Sequence, residues 1–282
     1  MTTANGTPGW AIGHVGLCVH DTDAAWTFYE GVVGLAPTHA SSRRPGAATV
    51  ATDNGAQSAS FYSAVPGFAR DRQCLHNPRV MKFVSIEVDD LDGVASRLAK
   101  LGVPCSEIVI PERDDAVQLF CFDPSMNLIG FGRHAAAGVA SAGDPAWLIH
   151  HVNLQAHDVR DTIGFFTGVA DMREGTWMAP PEMGDFSIDP KQLAVQTLGS
   201  DNRGLHIIRP DAGFGYRNGF AHNPSIGGHP AFAVPDIQAV MRRLRDADVV
   251  FSDAGTYAMT GYHQVYLYDP SYNLIEINQK VA

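Results

Sequence analysis

The chain has 282 residues, 45% hydrophobic and 18% charged, with a formal net charge of −10. That is enough apolar sequence for a sizeable core over one or two domains. The acidic balance, with no basic cluster against it, argues against nucleic acid or anionic membrane as a partner.

In chain order, the N-terminus MTTANGTPGW has neither a basic n-region nor an apolar h-region, so no signal peptide is expected and the cytoplasm is the expected location. No apolar run approaches the length of a membrane span. Cys18, Cys74, Cys105 and Cys121 all lie in the first half without a CxxC, which makes a disulfide framework or a thiolate metal site unexpected. Four segments then follow one plan of strand and helix. In residues 12 to 35, Val15, Leu17 and Val19 alternate before a helix that Asp21 or Asp23 can cap. Residues 82 to 103 alternate Val84, Ile86 and Val88, and Gly102 closes the helix. The third segment is 149 to 172. The fourth, 229 to 251, alternates Phe232 and Val234 ahead of a helix started by Pro235.

The plan is a duplication. His76-Asn77-Pro78 recurs as His222-Asn223-Pro224, and DPSMNLIG (123–130) recurs as DPSYNLIE (269–276), both at an offset of 146 residues. Each half holds two strand–helix–strands units, so the chain reads as four copies of a βαβββ-like unit. The small-residue stretch 133–146 reads as the connection. The expected domains are 1–136 and 147–282, joined by a linker at 137–146. Within the last strand Ile275 and Ile277 share one face, which turns Glu276 to the other. A carboxylate there meets either solvent, an arginine, or another positive partner such as a metal.

The words GHVGL with AWTFYEGVVGL, HHVNL with IGFFTGVADM, and the two DPSxNLI closures resemble the vicinal oxygen chelate superfamily of glyoxalases, bleomycin-resistance proteins and type I extradiol dioxygenases. The resemblance covers nearly the whole chain. It implies an α+β fold, with four βαβββ units paired into two curled mixed-sheet domains. It also implies metal ligands on the first and last strands of paired units.

At those places His229 lies opposite Phe232 and Val234, among Ala231 and Ala233, and His151 shares a face with Asn153 and Gln155. The last strand adds Glu276. Two histidines and one carboxylate bind Fe(II) with open positions, and the same donors accept Mn(II) or Zn(II). The corresponding places in the first half are Phe83 and Gly130, so that domain is expected to be metal-free with His14 a structural histidine. In some ring-cleaving relatives the first unit pairs with the fourth, and His14 would then replace His151. His206 on the strand GLHIIRP favours His151, because its counterpart SASFYSA carries no imidazole.

The resemblance further implies that His206 is an acid–base catalyst and that Tyr266 contacts a substrate oxygen. His206 also reads as a histidine hydrogen-bonded within its strand. Two places depart from the family signature. Gly261-Tyr262-His263 crowds Tyr266, leaving the role of His263 open, and Tyr272 stands where Gly or Pro is expected. Residues 173–200 and 210–228 are long for loops of the fold, and their aromatics suit either a substrate pocket or packing of the loops themselves. The function implied is an Fe(II)-dependent extradiol dioxygenase acting on a small aromatic diol and O₂, as a homo-oligomer. A glyoxalase-like isomerase or lyase is one rival, and a non-catalytic aromatic-ligand binder the other.

Overall fold

The computed structural model describes residues 10–37, 46–110, 116–133, 146–178, 195–199, 203–256, 259 and 261–281. Two mixed β-sheets account for most of their regular secondary structure. The first contains β1 (Trp10–Val19), β2 (Thr49–Asp53), β3 (Ser58–Ser63), β4 (Phe83–Val88), β5 (Ser106–Ile110), β6 (Ala116–Phe122) and β7 (Leu128–Arg133), in the order β2-β3-β1-β4-β7-β6-β5. The second contains β8 (Leu148–Gln155), β9 (Glu174–Met178), β10 (Val195–Leu198), β11 (Gly204–Ile208), β12 (His229–Ala233), β13 (Phe251–Gly255), β14 (Tyr262–Tyr268) and β15 (Leu274–Lys280), in the order β13-β14-β15-β12-β8-β11-β10-β9. Each sheet joins two successive units through their first strands, β1 to β4 and β8 to β12, both antiparallel. The third unit therefore pairs with the fourth.

Local sequence sets the helices. Asp21 caps the helix at Thr22–Trp26, its side chain accepting from the backbone N–H of Asp23 and Ala24. Asp90, Asp158 and Asp236 cap the three longer helices, Leu91–Lys100, Val159–Ala170 and Ile237–Asp246, in the same way. Pro235 accordingly does not start the fourth helix. It precedes Asp236, whose carboxylate satisfies the N–H of Ala239 and so takes the capping place. Gly102 closes its helix at φ 67°, a conformation that suits a residue without Cβ. The stretch 173–200 is less of a loop than its Gly and Pro content predicts, because it supplies β9 and β10 at the sheet edge. Residues 137–145 of the expected linker and the aromatic segment 180–186 lie outside the described residues.

The alternating apolar residues meet in one core that spans both sheets and includes Tyr29, Phe61, Trp147, Phe166 and Phe232. Reciprocal bonds join the halves. Arg97 donates to the carbonyl of Val169 while Arg243 donates to that of Val32. Asn127 donates to the carbonyl of Gln155 while Asn273 donates to that of Cys18. The two DPSxNLI closures are thus turns whose asparagines reach across to the opposite half. No described helix is long and apolar enough to cross a membrane.

Candidate metal centre

Strand register brings three polar side chains to one place. Ala231 of β12 stands opposite His151 of β8 on one side and opposite Glu276 of β15 on the other. His229 lies two residues before Ala231, on the same face of the strand. A methyl group at the centre of this row leaves room for the surrounding side chains to converge. Glu276 Oε2 lies 3.4 Å from His151 Nε2 and 3.6 Å from His229 Nε2. All three residues are buried, and among the described residues they form the single cluster of three potential metal donors.

The donors are held by their far sides. Gln264 and Asn278 each donate an amide N–H to Glu276 Oε1 at 2.9 Å. His150 Nδ1 meets His151 Nδ1 at 2.9 Å, which commits that nitrogen and turns Nε2 to the centre. His151 Nε2 and Glu276 Oε2 are left buried with no hydrogen-bond partner. Two such groups facing each other are costly, and a cation between them satisfies both. Burial pushes the Glu276 carboxyl up, but His151 and His229 together outweigh it and hold the group well below the usual carboxylate range. Burial holds His229 below the ordinary histidine value, and burial with His151 beside it takes His150 down to about 3. A His229 imidazole held neutral beside an ionised carboxylate suits metal binding, which takes unprotonated donors. The donor set therefore fits a divalent transition metal.

Around the donors stand the other expected site residues. His206 stacks on His151 with ring centroids 3.8 Å apart and 11° between planes. Tyr266 is opposite Glu276 in the β14–β15 ladder and accepts a bond from Gln264 Nε2 at 3.0 Å. Burial, then the Glu276 carboxylate, raise its phenol well above the ordinary value. Phe220, from the second expected loop, comes within 6.4 Å of the Tyr266 ring.

Residues 11–131 match the family model described as the Glyoxalase/Bleomycin resistance protein/Dioxygenase superfamily. That match covers 121 of the 282 residues, so it marks the first half of the chain as similar to this superfamily. Among solved structures, a 2,3-dioxygenase from Pseudomonas sp. KL28 is similar with a TM-score of 0.64 and 16% identity, over 96% of this chain and 92% of that one. A Mn(II)-bound glyoxalase from Novosphingobium aromaticivorans gives 0.62 and 18%, over 96% and 82%. A variant of homoprotocatechuate 2,3-dioxygenase from B. fuscum gives 0.64 and 14%, over 96% and 71%. At these identities the likeness is one of fold. No curated protein matches the chain.

The superfamily model matches the half of the chain that lacks the donor cluster. There His14 Nδ1 bonds Ser58 Oγ at 2.8 Å and its ring lies 5.5 Å from Phe83, far in sequence and sheet from Glu276. His263 faces away from the centre as well, bonding Asp253 at 2.7 Å on the strand edge. The groups that support Glu276 and His151 were not singled out in the sequence, although alternation contains them. Gln264 shares a face with Tyr266, Asn278 shares one with Glu276, and His150 is the neighbour of His151.

Proposed function

We propose that this protein is a member of that superfamily and an extradiol dioxygenase, cleaving the ring of an aromatic vicinal diol with O₂ at a centre of Fe(II), or alternatively Mn(II), held by His151, His229 and Glu276. The observation that carries the reading is the buried set of two imidazoles and one carboxylate, with unpartnered His151 Nε2 and Glu276 Oε2 turned toward each other. Fe(II) bound there would supply open positions at which a diol and O₂ are held side by side.

The chain's own residues then have distinct tasks. Glu276 stays ionised and gives the pocket one negative charge to set against the cation. His206, lying along the His151 ring, takes a proton from a diol hydroxyl and returns one later. Tyr266 keeps its proton and donates a hydrogen bond where charge gathers on a substrate oxygen. Gln264 orients both Tyr266 and Glu276. Burial of all these groups excludes water and strengthens each electrostatic contact.

The decisive experiment is anaerobic Fe(II) loading followed by O₂ uptake against a panel of monocyclic and bicyclic catechols and hydroquinones. Stoichiometric uptake with a ring-opened, absorbing product is expected, lost on oxidation to Fe(III) and restored by ascorbate with Fe(II). No uptake by fully loaded protein across the panel overturns the oxygenase reading and leaves the metal site standing. The Mn(II)-bound glyoxalase among the similar folds favours an isomerase as the second reading. Turnover of a hemithioacetal by Mn(II)-loaded protein without O₂ would establish it. Homo-oligomeric assembly and domain limits of 1–136 and 147–282, with 137–146 as linker, belong to the same proposal. Light scattering tests the first and limited proteolysis the second.

A further inference from the structure

A cavity of about 310 Å³ opens between the two halves, where β4 and β12 begin. It is at the small end of the usual range for ligand sites, roughly 300–1,000 Å³. Its apolar walls come from matched places in the repeat, Val15, Leu17 and Val84 from one half and Val152 and Leu154 from the other. His229, one of the three metal donors, and Asn153, which bonds it, border the cavity, whereas His151, Glu276, His206 and Tyr266 do not line it.

Lys82 is at its mouth and donates from Nζ to the carbonyl of Gly228 at 2.5 Å. The residue as a whole is exposed, yet packing around the ammonium lowers its pKa to about 8 by desolvation, with no acid beside it to oppose the shift. Among the described residues no carboxylate pairs with it. This is unusual in a chain of net charge −10. Lys82 and Gly228 are also equivalent positions of the repeat. Gly228 has φ 57°, and a Cβ there would come 2.7 Å from the carbonyl oxygen of Asn153. The pseudo-symmetric cavity therefore carries a cation on one side only. A partly desolvated ammonium beside apolar walls is costly without a counter-charge.

We propose that this cavity is a second binding site for a small amphipathic carboxylate, its apolar body against Val15, Leu17, Val84, Val152 and Leu154 and its carboxylate on Lys82. One unopposed cation balances a monoanion, which favours a carboxylate over a phosphate. The proposal does not rest on the reaction proposed above, although His229 borders both sites.

The test is calorimetric titration of the full-length, metal-loaded protein with benzoate, with hexanoate as its aliphatic counterpart and benzamide as the uncharged control. Saturable binding of either acid at one site per chain is expected, with benzamide weaker. Lys82→Gln should weaken the acid at least about tenfold, the value of one charge-assisted hydrogen bond. Lys82→Arg should keep most of the affinity. Repeating the titration after chelation separates the two sites, because binding at the cavity survives removal of the metal. Three results would overturn the proposal: no saturable binding of either acid, equal binding by Lys82→Gln, or binding that disappears with the metal. The last would place the acid on the metal centre and leave the reading of that centre intact.

Discussion

The two sheets fill the same positions in opposite ways. Where β12 brings His229 opposite Asn153, β4 brings Phe83 opposite Gly16. Where β15 carries Glu276 opposite Tyr266, β7 carries Gly130 opposite Phe120. In the first sheet the two phenylalanines meet edge to face at 5.1 Å and close the concavity with Tyr62, Phe68, Ile108 and Leu128. Gly16 is required for this, because a Cβ there would lie 2.2 Å from the Phe83 ring. The curled sheet has two stable interiors, an apolar plug or a polar cage. The cage buries a carboxylate and several imidazoles that only a cation and their own amide partners make tolerable.

The largest effect should separate the interiors by chemistry. His206 of the cage corresponds by register to Ser60 of the plug. His206→Ala should lower turnover by about 10² to 10⁴ while metal content stays at one per chain, if His206 is the acid–base group. Ser60→Ala should leave turnover unchanged. Loss of metal in His206→Ala, read by plasma emission, would instead make it a ligand and favour the isomerase. Next in size is a stability effect. Phe83→Ala should cost about 3–5 kcal/mol in urea denaturation, the value for a buried aromatic, with metal content per folded chain unchanged. The matching His229→Gln should abolish stoichiometric metal binding. If Phe83→Ala also emptied the metal site, the halves would be coupled rather than independent.

A third comparison uses protons. His150 of the cage has Gly13 as its counterpart, so only one half carries this buried imidazole. Burial and His151 lower its pKa from 6.5 to about 3. Between those values the unfolded chain binds a proton that the folded chain refuses, so stability falls as pH falls. The contribution is whole above about 6.5 and shrinks by about 1.4 kcal/mol per unit below it. Metal-free His150→Gln should therefore show a flatter loss of stability from pH 6.5 to 5 than the parent. Glu276 drops out of this window, since its depressed pKa loses stability only at lower pH. His229 is shifted the same way as His150 and contributes to both proteins, so the difference between them isolates His150. Equal slopes would mean His150 is protonated in the folded state.

Periodicity explains how much of this was legible. A period of two put His151, His229 and Glu276 on defined faces, and the offset of 146 told which half lacked them. Neither signal reports what the far side of a side chain touches. The amides of Gln264 and Asn278 were invisible because polar residues on strands are usually solvated, and here they are buried by the curl of the sheet. His263, whose role the spacing left open, is out of phase with Tyr266 and so lies on the opposite face, against Asp253. The strands β9 and β10 were hidden by the glycine and proline of the stretch around them, although β10 pairs with β11 and β9 with β10.

The smallest prediction asks whether the shared turns feel the difference between interiors. Met126 and Tyr272 are equivalent residues of the DPSxNLI closures, at φ 66° and 64°, and both are exposed. Each turn is held by an aspartate, Asp123 or Asp269, whose Oδ1 accepts two backbone N–H groups. Left-handed backbone costs a residue with Cβ about 1–2 kcal/mol. Glycine removes that strain but frees the unfolded chain by roughly 0.5–1 kcal/mol. Met126→Gly should thus stabilise by about 0.5–1 kcal/mol. Tyr272→Gly should gain less, because the Tyr272 ring lies 6.4 Å from Tyr268 and that contact is lost. Urea midpoints of the two variants in one background decide the matter. Equal gains would show that the exposed tyrosine pair contributes nothing, and that the two turns are energetically the same device beneath two different interiors.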